Sequence, residues 1–257
     1  MNKPLMMLSL PNTGTDWLVK CLLKTNKYNY SREFFNPMVN EKYCDILSKC
    51  FGCEYASLAH LIAKEPILSL ATSVLNDSWN KETFDFTKET FSAFKIDFFF
   101  KKFTCFVLFR KIEQSMPSNV FERIYPLRSW YDAMFFSLIA NKASLEPDIR
   151  KMVEVTEKYG LIERQIAAFV IYYSKLLKEA KDRQLIVLEY DKLLSFSAVK
   201  LVDYLTIPFI CNPTLTASEV LETRKPRMDN FCSLGKKAVK FKELITSFAP
   251  EEYKALC

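Results

Sequence analysis

The run LMMLSLPNTGTDWLVK, residues 5–20, carries the reading of the fold. Leu5 to Leu10 is a short apolar segment stopped by Pro11, Gly14 marks a turn, and helical spacing begins at Thr15. A strand of that length, a tight turn and a helix in immediate succession open an α/β unit rather than a hairpin. The same apolar run is too short for a secretory leader core and has no small-residue cleavage site.

Further along the chain, three more short segments read as buried strands: Phe84 to Phe86, Phe103 to Phe109 and Leu185 to Glu189. Helical patterns cover Thr15 to about Lys24, Glu41 to Cys50, Phe91 to Lys101, Tyr125 to Ala140, Gly160 to Ala180 and Ala198 to Leu205. The strands are continuous apolar runs, as expected of parallel strands covered on both faces, so the expected architecture is a three-layer α/β domain with a central parallel β-sheet flanked by helices. No linker or repeat divides the chain, which reads as one domain, residues 1–257, looser from about 209.

With 49% hydrophobic and 26% charged residues, the 257-residue chain has the composition of a soluble globular protein. No segment reaches the roughly 20 apolar residues of a membrane span. The net charge of +6 suits an anionic ligand but does not choose among nucleotides, sulfated or phosphorylated substrates and nucleic acid. Eight scattered cysteines read as reduced, mostly buried thiols, and the expected compartment is cytoplasmic. Cys50 and Cys53 lack the second pair a zinc site wants, so no metal is expected. His60, the single histidine, reads as structural, and without it no hydrolase triad can be assembled.

Only four glycines occur, at 14, 52, 160 and 235, and neither a Walker loop nor a dinucleotide-binding turn can be written with them. The turn PNTGTDW, residues 11–17, nevertheless leads into a helix start, where unpaired backbone N–H groups attract an anion. Four other runs carry chemistry. FTCFVLFR, residues 103–110, ends a strand on Arg110, with Ser118 eight positions on. LIVLEYDKLL, residues 185–194, ends a strand at Tyr190 and leads to a helix closing in YLTIP, residues 204–208. TRKPRMDNF, residues 223–231, is a basic loop, and FTKETF, residues 86–91, follows the second strand. Taken alone, each has a plainer account: a helix-start acid for Asp16, a surface ion pair for Arg110, core packing for Tyr190, solvated basic loops near 224 and a polar helix start at 87–90.

In this order the five runs resemble the cytosolic sulfotransferases, which use 3'-phosphoadenosine-5'-phosphosulfate (PAPS) and have a P-loop NTPase-like fold. The resemblance covers residues 5 to about 231. It implies that Pro11, Asn12, Thr13, Gly14, Thr15, Asp16 and Trp17 surround the 5'-phosphosulfate, that Arg110 and Ser118 grip the 3'-phosphate with Arg224 and Lys225 closing over it, and that Tyr190 approaches the adenine. Arg128, in LRSWYDA, residues 127–133, offers a competing register for Arg110. It further implies in-line transfer of a sulfuryl group to a hydroxyl or amine of a small-molecule or glycan acceptor. Adenosine 3',5'-bisphosphate (PAP) is the product, and no metal, nucleic acid or membrane takes part. The acceptor walls are expected in loops at residues 29–80 and 140–160.

This chain departs from the family at the chemistry. Asn12 stands where the family has a basic residue, Asp16 replaces a threonine, Pro226 replaces a glycine, and Lys88 stands at the family's catalytic histidine. Lys88, Glu89 and Asn12 are therefore the candidate catalytic residues, Glu89 being the better proton acceptor by chemistry and Lys88 or Lys20 a substitute source of charge. Two readings stay open at the sequence level: an active transferase, and a protein that binds PAP without catalysis. A third, a nucleic-acid-binding protein using the C-terminal lysines, is weaker because the basic residues are spread.

Overall fold

The computed structural model describes residues 3–10, 13–25, 29–31, 86–90, 96–110 and 130–195. Within them five parallel strands form one sheet: β1 Leu5–Leu8, β2 Tyr30–Ser31, β3 Phe86–Glu89, β4 Thr104–Phe109 and β5 Ile186–Glu189, in the order β2-β3-β1-β4-β5. The helices are α1 Thr15–Thr25, α2 Ile96–Lys102, α3 Trp130–Ala140, α4 Pro147–Thr156, α5 Leu161–Asp182 and α6 Tyr190–Ser195, with a 3-10 turn at Lys142–Ser144. The expected α/β class with a parallel sheet is what the chain builds.

Register fixes which side chains share a face, because successive strand residues point opposite ways. Met7 pairs with Lys88 on one side and Phe106 on the other, and Leu108 pairs with Leu188. Met7, Phe86, Phe106 and Leu108 form one buried cluster with Trp17, Leu18 and Val19 of α1, so α1 covers this face. On the opposite face Phe109 meets Tyr173 of α5 edge-on at 5.1 Å. Covering on both faces is why β1 and β4 are apolar at consecutive positions: Met6 to Leu8 and Val107 to Leu108 are fully buried.

Helix α5 is central to this second layer. Its residues Ile166 to Tyr173 are all fully buried, an apolar girth rather than a stripe, because the sheet lies on one side and α3 and α4 on the other. Tyr131 of α3 packs on Phe169 at 5.7 Å. Cys105, on the same sheet face, is a buried free thiol.

Three expectations are corrected. The second strand, expected to end at Phe86, continues through Phe86–Glu89, so the polar residues 87–89 are strand, not helix start; 84 and 85 lie outside the described residues. Residues 147–156, expected as part of an acceptor-wall loop, form α4, whose buried Ile149, Met152, Val153 and Thr156 follow helical spacing and whose start is set by Pro147 in its first turn. Strand β2 and helix α6 were not anticipated. The expected helices at 41–50 and 198–205, and the looser region from 209, lie outside the described residues.

Candidate functional site

Between β1 and α1 the chain turns back on itself through Gly14, whose φ is +88°. Its carbonyl accepts the first helical hydrogen bond, from the Leu18 N–H at 3.1 Å. A Cβ at this position would stand 2.1 Å from Cε2 of Tyr190, so both the backbone angle and the neighbouring ring demand glycine. The turn is tied from below. Ser9 donates its backbone N–H to the Glu89 carbonyl at 3.1 Å and its hydroxyl to the Leu108 carbonyl at 2.8 Å. Thr13 Oγ1 donates to the Leu10 carbonyl at 2.8 Å and contacts the Ser9 hydroxyl. Tyr173, from α5, adds its hydroxyl to the Leu108 carbonyl at 3.3 Å. Thr13 is fully buried in this network, so its hydroxyl braces the turn.

Two cations reach the turn's surroundings from neighbouring strands. Lys88 of β3 lies on the α1 face, with Nζ 3.4 Å from Thr15 Oγ1 and ion-paired to Asp16. The pair is lopsided: the lysine side chain is 11% exposed and the aspartate 82%. A carboxylate so open to water binds a cation weakly, by at most about 1 kcal/mol. Glu89 points to the other face and is fully buried, its Oε1 accepting the Thr90 N–H at 3.1 Å. Adjacent strand residues cannot serve one reacting group, so the structure does not bring Lys88 and Glu89 together. An ammonium donating to Thr15 and Asp16 also takes no proton while it does so.

Arg110 is the residue after β4. Its Nε pairs with Asp191 Oδ1 at 3.3 Å, and its guanidinium carbon sits 4.8 Å from the centre of the Tyr190 ring. Its Nη1 is buried with no hydrogen-bond partner among the described residues. So is Nε1 of Trp17, whose ring meets Tyr190 edge-on at 5.4 Å. A buried donor left unpaired costs about 1–3 kcal/mol. Tyr190 thus stands between Arg110 and Gly14 with Trp17 at its edge, buried in the α1-side cluster.

The place of these residues follows from topology. The crossover from β1 to β2 runs through α1 on one face, and that from β4 to β5 runs through α5 on the other, while β1 and β4 are neighbours. Such a reversal opens a crevice beyond the carboxyl ends of the two strands, the usual ligand position in open α/β sheets. Thr13 to Trp17 follow β1, Lys88 sits near the end of β3, Arg110 follows β4, and Tyr190 follows β5. No protein-family model matches the chain, and no curated protein matches it.

Of the other expected site residues, Pro11, Asn12, Ser118, Arg224 and Lys225, and the rival Arg128, lie outside the described residues. Among those described, no group of three or more His, Cys, Asp or Glu could hold a metal ion, and no helix is long and apolar enough to cross a membrane. The sequence reading passes over Ser9, Asp191 and Tyr173. A lone polar residue in the run 5–10 signals Ser9, and a carboxylate just past a strand end signals Asp191. Tyr173 has no signal, since only folding brings α5 beneath the turn.

Proposed function

We propose that this crevice binds PAPS and its product PAP, and that the chain is a sulfotransferase of P-loop NTPase-like fold. It would transfer the sulfuryl group to a hydroxyl or amine of a small-molecule or glycan acceptor. The single observation that carries the reading is the buried Nη1 of Arg110, without a hydrogen-bond partner among the described residues, at the end of β4 beside a strand–turn–helix whose first N–H groups attract an anion. A planar guanidinium with Nε on Asp191 and Nη1 without a partner among the described residues is suited to a phosphate. In the transfer the bond from sulfur to the bridging oxygen breaks, PAP departs, and a bond from sulfur to the acceptor's oxygen or nitrogen forms. The chain would contribute positioning and positive charge, with no metal needed.

A second reading, PAP binding without catalysis, is favoured by one pair of facts. Lys88 is engaged by Asp16, and Glu89 faces away, so neither is poised to take the acceptor's proton. A melting experiment tests the binding common to both readings. PAP is expected to raise the Tm at micromolar concentration by mass action. Arg110→Ala should abolish most of that shift, because truncating a buried charged partner costs about 2–5 kcal/mol, whereas Arg128→Ala should not. An unchanged shift in Arg110→Ala would remove Arg110 from the site. Transfer of labelled sulfate from PAPS to a mixed acceptor pool then separates the two readings, since only the enzyme yields labelled product.

A further inference from the structure

We infer that Asp16 is a built-in competitor for the crevice: its carboxylate holds the Lys88 ammonium at the first turn of α1 until a ligand's anionic group displaces it. The inference rests on the reading of the crevice as an anion site.

Lys88 is anchored by its stem. It projects from β3 into the α1 face, 11% exposed, beside Met7 of the paired strand, and its Nζ reaches Thr15 Oγ1 at 3.4 Å. Asp16 is anchored only by its backbone in the first turn of α1, with its side chain 82% exposed. Exchange therefore proceeds by the aspartate swinging into water, which breaks no buried contact, while the lysine stays in place. The carboxylate draws on the same two attractions a phosphate would use, the ammonium and the positive end of the helix. A single charge open to water is a weak occupant and is screened by salt. A phosphate or phosphosulfate brings more charge and more acceptor oxygens to the same donors. Across the Tyr190 ring, the buried Arg110 Nη1, without a hydrogen-bond partner among the described residues, is an independent sign of a ligand here. Lys88 then supplies positive charge beside the turn, and Asp16 sets how strongly an anion must bind to obtain it.

Calorimetric titration of the full chain at low ionic strength tests this, with PAP and inorganic pyrophosphate as probes. The proteins are wild type, Asp16→Asn, Lys88→Met and the double variant, each checked by circular dichroism. Methionine keeps the length of the stem on β3, and asparagine keeps the shape and capping ability at the helix start. Asp16→Asn should tighten binding about fivefold, the worth of one exposed ion pair, and Lys88→Met should weaken it. In the Lys88→Met background the gain from Asp16→Asn should shrink to the part owed to the helix end. A gain of the same size in both backgrounds would mean that Asp16 merely repels the ligand and would overturn the exchange. Tight PAP binding unaltered in every variant would overturn it too, while leaving the nucleotide reading intact. Failure of every protein to bind either probe would remove both.

Discussion

At Gly14 two constraints meet that a side chain would violate together, a φ of +88° and the Tyr190 ring 2.1 Å from where a Cβ would stand. Gly14→Ala should therefore destabilise the fold by about 2–5 kcal/mol, the sum of a left-handed backbone penalty and overpacking. Urea denaturation is the measurement. In a Tyr190→Ala background the same substitution should cost only the backbone part, about 1–2 kcal/mol. The glycine itself was legible, since a glycine between a strand and a helix reads as a turn. The ring that enforces it was not, because nothing local to residue 14 points to Tyr190. Lys88 teaches the same lesson: its position in the chain suggests a reacting group, but its pairing with Asp16 depends on β3 lying beside β1. Thr13 was legible as part of the turn and illegible as a brace, since the network it enters through the Ser9 hydroxyl reaches the Leu108 carbonyl of β4 and the Tyr173 hydroxyl of α5.

Helix α5 ends in a left-handed residue that is not glycine. Gln184 has φ 55°; its N–H bonds to the Lys181 carbonyl at 3.0 Å, and the Leu185 N–H to the Ala180 carbonyl at 2.8 Å, a Schellman closure. In a chain with only four glycines, glutamine fills a glycine's position. Gln184→Gly should raise stability by up to about 1 kcal/mol, the relief of the left-handed strain less the added freedom of the unfolded chain. A shift of the urea midpoint to higher concentration with unchanged slope would register it. Elements with a strong local period were legible in the sequence, α1 and α5 nearly to their ends. β3 was ended too early because Thr87, Lys88 and Glu89 are polar, and the Thr15 and Asp16 that hold the Lys88 ammonium lie far off in the sequence. β2, with two residues, shows no period, and α4 was hidden by a charged exterior over a narrow buried stripe.

For the whole molecule, the sheet's class was readable from continuous apolar strands, whereas the strand order, which places the crevice between β1 and β4, was not. Burial of acidic groups sets an alkaline limit on this architecture. Burial pushes the Tyr173 phenol from its ordinary 10.0 up to about 12 and the Cys105 thiol from 9.0 up to about 12, and raises Tyr172 as well. The fold favours the neutral forms, so their contribution is complete below the unfolded values and is lost as pH rises toward the folded ones. Above pH 9 for the thiol and 10 for the phenols, the unfolded chain releases protons first. Stability should then fall by about 1.4 kcal/mol per pH unit for each group. Urea midpoints between pH 8 and 12 measure this limb, and Tyr173→Phe and Cys105→Ala should each flatten it. The crevice has its own fixed dimension. Tyr190 begins α6 at the end of β5, with the Arg110 guanidinium near its ring and Gly14 pressed against it. A planar ring cannot be compressed, so it works as a shim: the gap between the arginine and the turn can be no narrower than the ring itself.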